Sequence, residues 1–223
     1  MGWKTSCILA STRRGELIQD NAIHNVAFAD EVAKRLPGDF LYIGESTFEK
    51  GAYPREGSLY IGAYPDSLII AHSDFADSCF ENEAPPVVSV INEFLPDAQV
   101  LALQLHSVVN LYAYALFENG KLIRARAGSG DDGVFMDVGQ PLPEEIALFA
   151  RATTNEAGEQ VWLEEFDGVT EELDHSSMGE EFVFEVSRRF FGERYDCFDH
   201  NLLTVSAYKV PSRTFWQRLT KRS

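Results

Sequence analysis

The dipeptide Asn119-Gly120, which lies between two apolar runs, constrains the fold of this chain more than any other sequence feature. Asn and Gly readily adopt the positive φ angles of a two-residue type I′ turn. Residues 108–117 and 121–127 are therefore predicted to pair as an antiparallel hairpin. The register follows by counting outward from the turn, beginning with Glu118 opposite Lys121.

The predicted register places two arginines on one face of the hairpin. Ala115 is expected opposite Arg124 and Ala113 opposite Arg126, while the large residues of the first strand face the core. Planar guanidinium groups bind carboxylates and phosphates through paired hydrogen bonds. This arginine-lined shelf is therefore a candidate site for an anionic ligand. The alternative is that both arginines pair with nearby Asp and Glu side chains on a solvated sheet face.

The strand pattern predicts an α+β fold with a mostly antiparallel sheet. Strand-like segments follow one another through residues 100–138 with only short turns, which favours a central meander over βαβ units. Residues 45–57 carry two glycines and a proline without periodicity, so they are expected to form a surface loop. Other strands are predicted at 3–10, 40–43, 58–63, 67–72, 160–165 and 201–208.

About three helices are predicted to pack on this sheet. Asn21 is expected to cap the first, whose apolar stripe continues to Leu36, and Pro86 lies in the opening turn of the second. The third begins at Ser177-x-x-Glu180, which has the pattern of a capping box, and Gly192 is expected to end it.

Length and charge limit the domain organisation and the class of partner. A chain of 223 residues with 45% apolar content can bury a full core without disulfides or metals. We expect a single α+β domain over residues 1–208 and a basic tail over 209–223. A net charge of −16 argues against nucleic acid as a partner and favours a basic protein.

The sequence also predicts a location in the cytoplasm. No apolar stretch approaches the roughly 20 residues of a membrane helix, and the opening segment lacks the long hydrophobic region of a secretory signal. The three cysteines are far apart and show no Cys-x-x-Cys spacing. No metal site and no cofactor is predicted, because the Gly-x-Gly-x-x-Gly pattern of residues 128–133 joins two strands rather than a strand and a helix.

The densest group of potential acid and base residues lies where a predicted strand ends. His72 is followed by Asp74, and a carboxylate near an imidazole can orient it as a general base. His106 ends another predicted strand and is a candidate ligand-binding residue if the two strands are close. A histidine that is merely hydrogen-bonded at a strand end is the alternative for His72.

Two short segments carry a resemblance to a known group of proteins. Met1-Gly2-x-Lys4-Thr5 at the head of a hydrophobic strand, together with Gly139–Glu145, resembles a bacterial family of uncharacterised single-domain proteins. The resemblance implies a bacterial, cytosolic setting and no catalytic residues.

Three functional hypotheses follow from the sequence. The first is a non-enzymatic protein-interaction module with an acidic surface, because no catalytic signature is present. The second is a small-molecule-binding protein or hydrolase-type enzyme, with Arg124, Arg126 and His106 holding an anionic ligand while His72 and Asp74 move protons. The third is attachment to a membrane surface through the basic tail.

Overall fold

The computed structural model describes residues 2–13, 23–81 and 83–211. The described strands, in chain order, are β1 (Lys4–Ser11), β2 (Leu41–Thr47), β3 (Ser58–Tyr64), β4 (Ser67–Ala71), β5 (Gln99–His106), β6 (Leu111–Glu118), β7 (Lys121–Ser129), β8 (Gly133–Val138), β9 (Ala152–Thr154), β10 (Gln160–Phe166), β11 (Val169–Leu173) and β12 (Thr204–Lys209). The described helices are α1 (Val26–Arg35), α2 (Phe48–Gly51), α3 (Ser73–Glu81), α4 (Pro86–Phe94), α5 (Pro143–Ala150) and α6 (Gly179–Phe191).

The strands form two antiparallel sheets. The larger has nine strands in the order β2-β12-β3-β4-β1-β5-β6-β7-β8, and the smaller has the order β11-β10-β9. The α+β class and the central meander are therefore confirmed, because β5 to β8 lie side by side in chain order. The expectation of about three helices is wrong, since six are described. Helix α2 has only four residues, too few for a periodic pattern.

The nine-stranded sheet is covered on both faces, and each face has its own apolar core. Helices α1, α3 and α4 pack on one face, called here the helix face, which includes Ile8 and Ile70. Helices α2, α5 and α6 and the small sheet pack on the other, called the aromatic face, which includes Tyr112 and Tyr114. A sheet buried on both sides needs apolar residues at nearly every central position, which explains the continuous apolar runs of β1, β4 and β5.

The hairpin of β6 and β7 forms at Asn119-Gly120, where both residues have positive φ angles. Glu118 faces Lys121 and Phe117 faces Leu122, as predicted, but the register then shifts by one residue. Because a β-bulge inserts Ile123, Arg124 faces Leu116 rather than Ala115, and Arg126 faces Tyr114 rather than Ala113.

The bulge turns both arginines from the expected solvated face to the aromatic face, because a shift of one residue exchanges the two faces of a strand. Gly139 accommodates the bulge, since its φ is +83° and a Cβ there would lie 2.0 Å from the carbonyl oxygen of Ile123. The predicted shelf over alanines is therefore wrong.

Two other local predictions are wrong. Residues 45–57 are not one surface loop, because β2 continues to Thr47 and α2 places Phe48 in the core with 0% exposure. Ser177 does not form a capping box with Glu180. Instead the carboxylate of Asp174 accepts a hydrogen bond from the amide of Ser177 (2.8 Å), and α6 begins two residues later.

Several helix and strand ends agree with the sequence predictions, and two predicted features lie outside the described residues. Gly192 ends α6 in the left-handed conformation as predicted. Asn25 caps α1 by accepting from the amide of Phe28 (3.0 Å), while Asn21 lies outside the described residues. Lys209 ends β12, and residues 212–223 of the basic tail also lie outside them. Among the described helices, none has the length and apolar character needed to cross a membrane.

Candidate functional site

Arg124 is buried in a network of ion pairs on the aromatic face. Its side chain is 1% exposed and that of Glu145 is 0% exposed. Nε and Nη2 donate to the Glu145 carboxylate at 2.8–3.2 Å, and Nη1 donates to Asp137 and to the carbonyls of Val138 (3.1 Å) and Gly139 (3.3 Å). Burial acts to lower the pKa of Arg124, but the hydrogen bonds to Glu145 and Asp137, together with the charges near the guanidinium, raise the pKa.

Glu145 has both carboxylate oxygens occupied. Besides Arg124, it accepts from the hydroxyl of Tyr114 (2.5 Å) and from the amide of Leu142 at the start of α5 (2.7 Å). Burial, together with the neighbouring carboxylate, raises the pKa of Tyr114 well above its usual range. This network joins β6, β7 and α5. The ion-pairing alternative from the sequence is therefore what the structure contains, although the pair is buried and not on a solvated face.

Arg126 is also buried, with 3% exposure, but it has fewer partners. Nη1 pairs with Asp137, and the guanidinium carbon lies 5.2 Å from the ring centres of both Phe149 and Phe182. Nε has no hydrogen-bond partner in the part of the chain that the structure describes. Ligand binding by Arg126 therefore stays a prediction, whereas all three guanidinium nitrogens of Arg124 already donate to protein acceptors.

His72 follows the last residue of β4 and is packed between aromatic rings. Its ring stacks on Phe75 at 4.3 Å between centres and meets the edge of Phe40 at 5.7 Å. Burial lowers the pKa of His72, and the nearby carboxylates of Asp74 and Asp77 offset this in part. Asp74 accepts a hydrogen bond from the hydroxyl of Ser73 (3.1 Å), while Nδ1 of His72 has no partner among the described residues. In the described part of the chain no hydrogen bond joins His72 to Asp74, so the expected orientation of the ring by that carboxylate is not found there.

The structure does not bring His72 and the arginines into one site. His72 packs with residues of the helix face, whereas Arg124 and Arg126 belong to the aromatic face. Four strand spacings separate β4 from β7 in the sheet, which is about 19 Å at the usual spacing. His106 alternates with Leu105 along β5 and so also lies on the helix side. One pocket cannot contain all the residues that the second sequence hypothesis combined.

His106 instead lines a cleft where β1 begins and β5 ends, in the middle of the nine-stranded sheet. We call it the β1–β5 cleft. Its volume is about 380 Å³. Ser6 and Gln104 are directly paired across β1 and β5, and helix α3 covers them with Ser73 and Asp77. The complete lining is Thr5, Ser6, Tyr53, Pro54, Ser73, Asp77, Gln104, Leu105, His106, Val109 and Leu111.

Backbone contacts hold the aromatic wall of the cleft against β1. The amide of Ser6 donates to the carbonyl of Ala52 (2.8 Å), and the hydroxyl of Thr5 donates to the same oxygen (3.2 Å). These bonds fix the segment that follows α2, so Tyr53 and Pro54 form one side of the cleft. The ring of Tyr53 lies 6.0 Å from that of His106, measured between centres.

The floor of the cleft contains polar atoms without partners. Ser6 is 5% exposed, and its hydroxyl oxygen has no hydrogen-bond partner among the described residues. Within the same part of the chain, Nδ1 of His106 is also buried and unpartnered. The side-chain amide of Gln104 donates a hydrogen bond to the carboxylate of Asp77. Burial raises the pKa of Asp77, although this hydrogen bond acts to lower it. Buried polar groups in proteins are nearly always paired, so these atoms mark a place where a bound molecule would supply hydrogen bonds.

The sequence pointed to part of this cleft. His106 was selected as a strand-end histidine, and Asp77 lies close to the His72–Asp74 group. Gln104 was missed although it is a single polar residue among the apolar residues of β5, and Ser6 was missed because it follows Thr5 at the start of β1. A polar residue inside a buried strand needs a partner, and this requirement is the signal that could have found both. Their pairing depends on contact between β1 and β5, which are nearly a hundred residues apart.

The comparison with protein families confirms that the chain belongs to an uncharacterised family. The model of a "Family of unknown function (DUF6928)" matches residues 5–203, which is most of the chain. No curated protein and no solved structure matches the chain.

Proposed function

We propose a function from the geometry of the structure alone, because DUF6928, the family to which the chain belongs, is a family of unknown function. The proposal is that the chain binds a small, neutral, hydroxyl-rich molecule in the β1–β5 cleft. The observation that carries it is the hydroxyl of Ser6, which is 5% exposed, lines the cleft and has no partner among the described residues.

The mixture of polar groups favours hydroxyl groups on the ligand. A hydroxyl both donates and accepts, so it can pair with the Ser6 hydroxyl, the Asp77 carboxylate, the Gln104 amide and either form of His106. Tyr53 and Pro54 add a flat apolar wall for the carbon skeleton of a ring. The cleft volume of about 380 Å³ lies at the small end of ligand pockets.

The charges around the cleft favour a ligand without net charge. Asp77 is the carboxylate in the lining, and it disfavours an anion. Lys4 lies beside the cleft, with its ammonium 5.5 Å from the ring centre of Tyr53, and it disfavours a cation. A neutral polyol avoids both repulsions, which sets this proposal apart from the anionic ligand inferred from sequence.

We propose that the cleft binds its ligand without reacting with it. His72 is not part of the cleft lining and Asp74 is bonded to Ser73, so neither is in place to act on a ligand held there. A bacterial, cytoplasmic setting is part of the proposal and comes from the sequence.

The test is saturation-transfer NMR on the full chain with myo-inositol, D-ribose and D-glucose as probes. We expect at least one to bind, and Ser6→Ala to weaken it about tenfold, the effect of one lost buried hydrogen bond of about 1.4 kcal/mol. Ser11→Ala is the matched control, because Ser11 is a buried serine at the far end of β1 whose hydroxyl donates to the carbonyl of Arg13 (3.0 Å). The proposal fails if no probe binds or if Ser6→Ala binds as tightly as the unmodified chain.

A second candidate function is the non-enzymatic interaction module. The specific observation is the edge strand β2, on which Leu41, Tyr42 and Ile43 are 58%, 44% and 54% exposed. An exposed apolar edge can accept a strand from a partner, and the acidic character of the chain favours a basic one. The test is retention of a basic partner on the immobilised chain. A Leu41→Lys/Ile43→Lys variant should lose that partner, whereas Leu163→Lys, an exposed leucine on the small sheet, should keep it.

A further inference from the structure

A second cavity lies on the aromatic face, where β7 and β8 meet the small sheet and the turn before α6. Its volume is about 510 Å³. Its charged lining residues are Arg126, Asp137, Glu159 and Asp174, with His175 beside them. Arg126 and Gln104 point to opposite faces of the nine-stranded sheet, so this cavity is separate from the β1–β5 cleft. We call it the Arg126 cavity.

Arg126 brings a buried donor, Nε, to this cavity, and the buried hydroxyl of Tyr112 near its guanidinium is also without a partner among the described residues. The side chain of Arg126 is 4% exposed, and Nε has no partner in the described part of the chain. The ring centres of Phe149 and Phe182 lie 5.2 Å from the guanidinium carbon, and the carboxylate of Asp137 accepts a hydrogen bond from Nη1 and not from Nε. A buried N–H without an acceptor is unfavourable, so an oxygen atom from a ligand would complete it.

His175 lines the same cavity with a second unpaired atom. Its Nδ1 is buried and has no partner among the described residues. The neighbouring Asp174 is fixed, because it accepts from the amide of Ser177 (2.8 Å) and from the hydroxyl of Ser176 (2.9 Å). Burial acts to raise the pKa of Asp174, but the hydrogen bonds from Ser176 and Ser177 together with the charge of His175 lower the pKa, so the carboxylate stays negatively charged at neutral pH.

The balance of charge selects the kind of ligand. Arg124 and Arg126 are already matched by the two carboxylates of Glu145 and Asp137. Asp174 and Glu159 then leave the cavity with excess negative charge. A simple anion such as phosphate is repelled, although Arg126 offers it a donor. A molecule that has an ammonium group as well as an oxygen acceptor satisfies both features.

We propose that the Arg126 cavity binds a small molecule with a primary ammonium next to a carbonyl or carboxylate group, as in an α-amino acid or its amide. The oxygen accepts from Nε of Arg126, and the ammonium lies against the carboxylates of Asp174 and Glu159. Such a charge-assisted pair on each side fixes the orientation of the ligand.

The test is a ¹H–¹⁵N NMR titration of the full chain with four probes: L-alanine, L-alaninamide, acetate and ethylamine. We expect L-alaninamide or L-alanine, or both, to bind at least about tenfold more tightly than acetate and ethylamine, each of which has only one of the two groups. Binding of the amide alone identifies a peptide-like ligand, and binding of alanine identifies a free amino acid. The proposal is overturned if acetate binds as well as alanine, or if no probe binds.

Two variants test whether the probes bind in the Arg126 cavity or elsewhere on the protein. Arg126→Lys keeps the positive charge beside Asp137 but removes the Nε donor. Asp174→Asn keeps an acceptor for Ser177 but removes the charge. Each variant should weaken binding of the tighter-binding of L-alanine and L-alaninamide about tenfold. Glu93→Gln, at an exposed residue of α4, should leave that binding unchanged. If Arg126→Lys does not fold, Asp174→Asn alone decides, and unchanged binding to it refutes the proposal.

Discussion

Replacing Glu145 by Gln removes the charge that holds Arg124 in the core while keeping the shape of the side chain. The carboxylate accepts from Arg124, from the hydroxyl of Tyr114 and from the amide of Leu142. In a glutamine, one of the two oxygens becomes an NH₂ group, which meets donors on every side. At least one donor is therefore left without an acceptor.

The expected loss follows from the burial of the pair. Breaking a fully buried ion pair by removing one partner costs about 3–5 kcal/mol. Arg124 keeps Asp137 and two backbone carbonyls, so we place the loss for Glu145→Gln near the lower end, at about 3 kcal/mol. For a chain of this length, that corresponds to a fall in Tm of about 6–12 °C.

The measurement is urea unfolding followed by tryptophan fluorescence. Trp162 is a suitable reporter, because it is buried and donates to the carbonyl of Leu148 in α5 (2.8 Å). The matched control is Glu93→Gln, the same substitution in an exposed pair with Arg35 (3.4 Å), which should cost less than about 1 kcal/mol. If Glu145→Gln costs no more than Glu93→Gln at an unchanged m-value, the buried network is refuted.

Three further predictions concern single positions. Ser6→Ala should raise the free energy of unfolding of the unliganded chain by up to about 1 kcal/mol because it removes an unpaired buried hydroxyl, whereas Ser11→Ala should lower it; urea unfolding of both variants checks this. Gly139→Ala should cost about 1–3 kcal/mol more than Gly158→Ala, because both glycines have positive φ but only Gly139 has a backbone oxygen in the place of a Cβ; equal Tm values would contradict the clash. Burial lowers the pKa of His72 below the ordinary 6.5, so the unfolded state takes up a proton first as pH falls, and stability should decrease as pH drops below about 6.5. His72→Gln should reduce that decrease in unfolding measured between pH 7.5 and 5.5, and an unchanged pH dependence would show that His72 does not cause it.

The hairpin of β6 and β7 shows which features could be predicted from the sequence and which could not. The turn residues Asn119-Gly120 are a local signal, and the first two pairs beyond them were predicted correctly. The bulge at Ile123 was not predictable, because it is stabilised by contacts of Arg124 with Glu145 in another element. One inserted residue was enough to move both arginines from a surface to a core.

Some signals were present and overlooked. Asp167-Gly168 has the same positive φ angles as Asn119-Gly120 and joins β10 to β11, so the small sheet could have been predicted from the same rule. By contrast, the β1–β5 cleft depends on strand order, and strand order depends on contacts between distant segments. Periodicity and turn residues determine elements but not their neighbours in a sheet.

The most direct test of the proposed function is a crystal structure of the full chain with the tightest-binding of the three polyols. We expect a ligand oxygen about 2.6–3.2 Å from the hydroxyl of Ser6, with the ring against Tyr53 and a second oxygen near Asp77. A polyol bound elsewhere while the cleft holds none, or a ligand in the cleft that leaves Ser6 without a hydrogen bond, would contradict it.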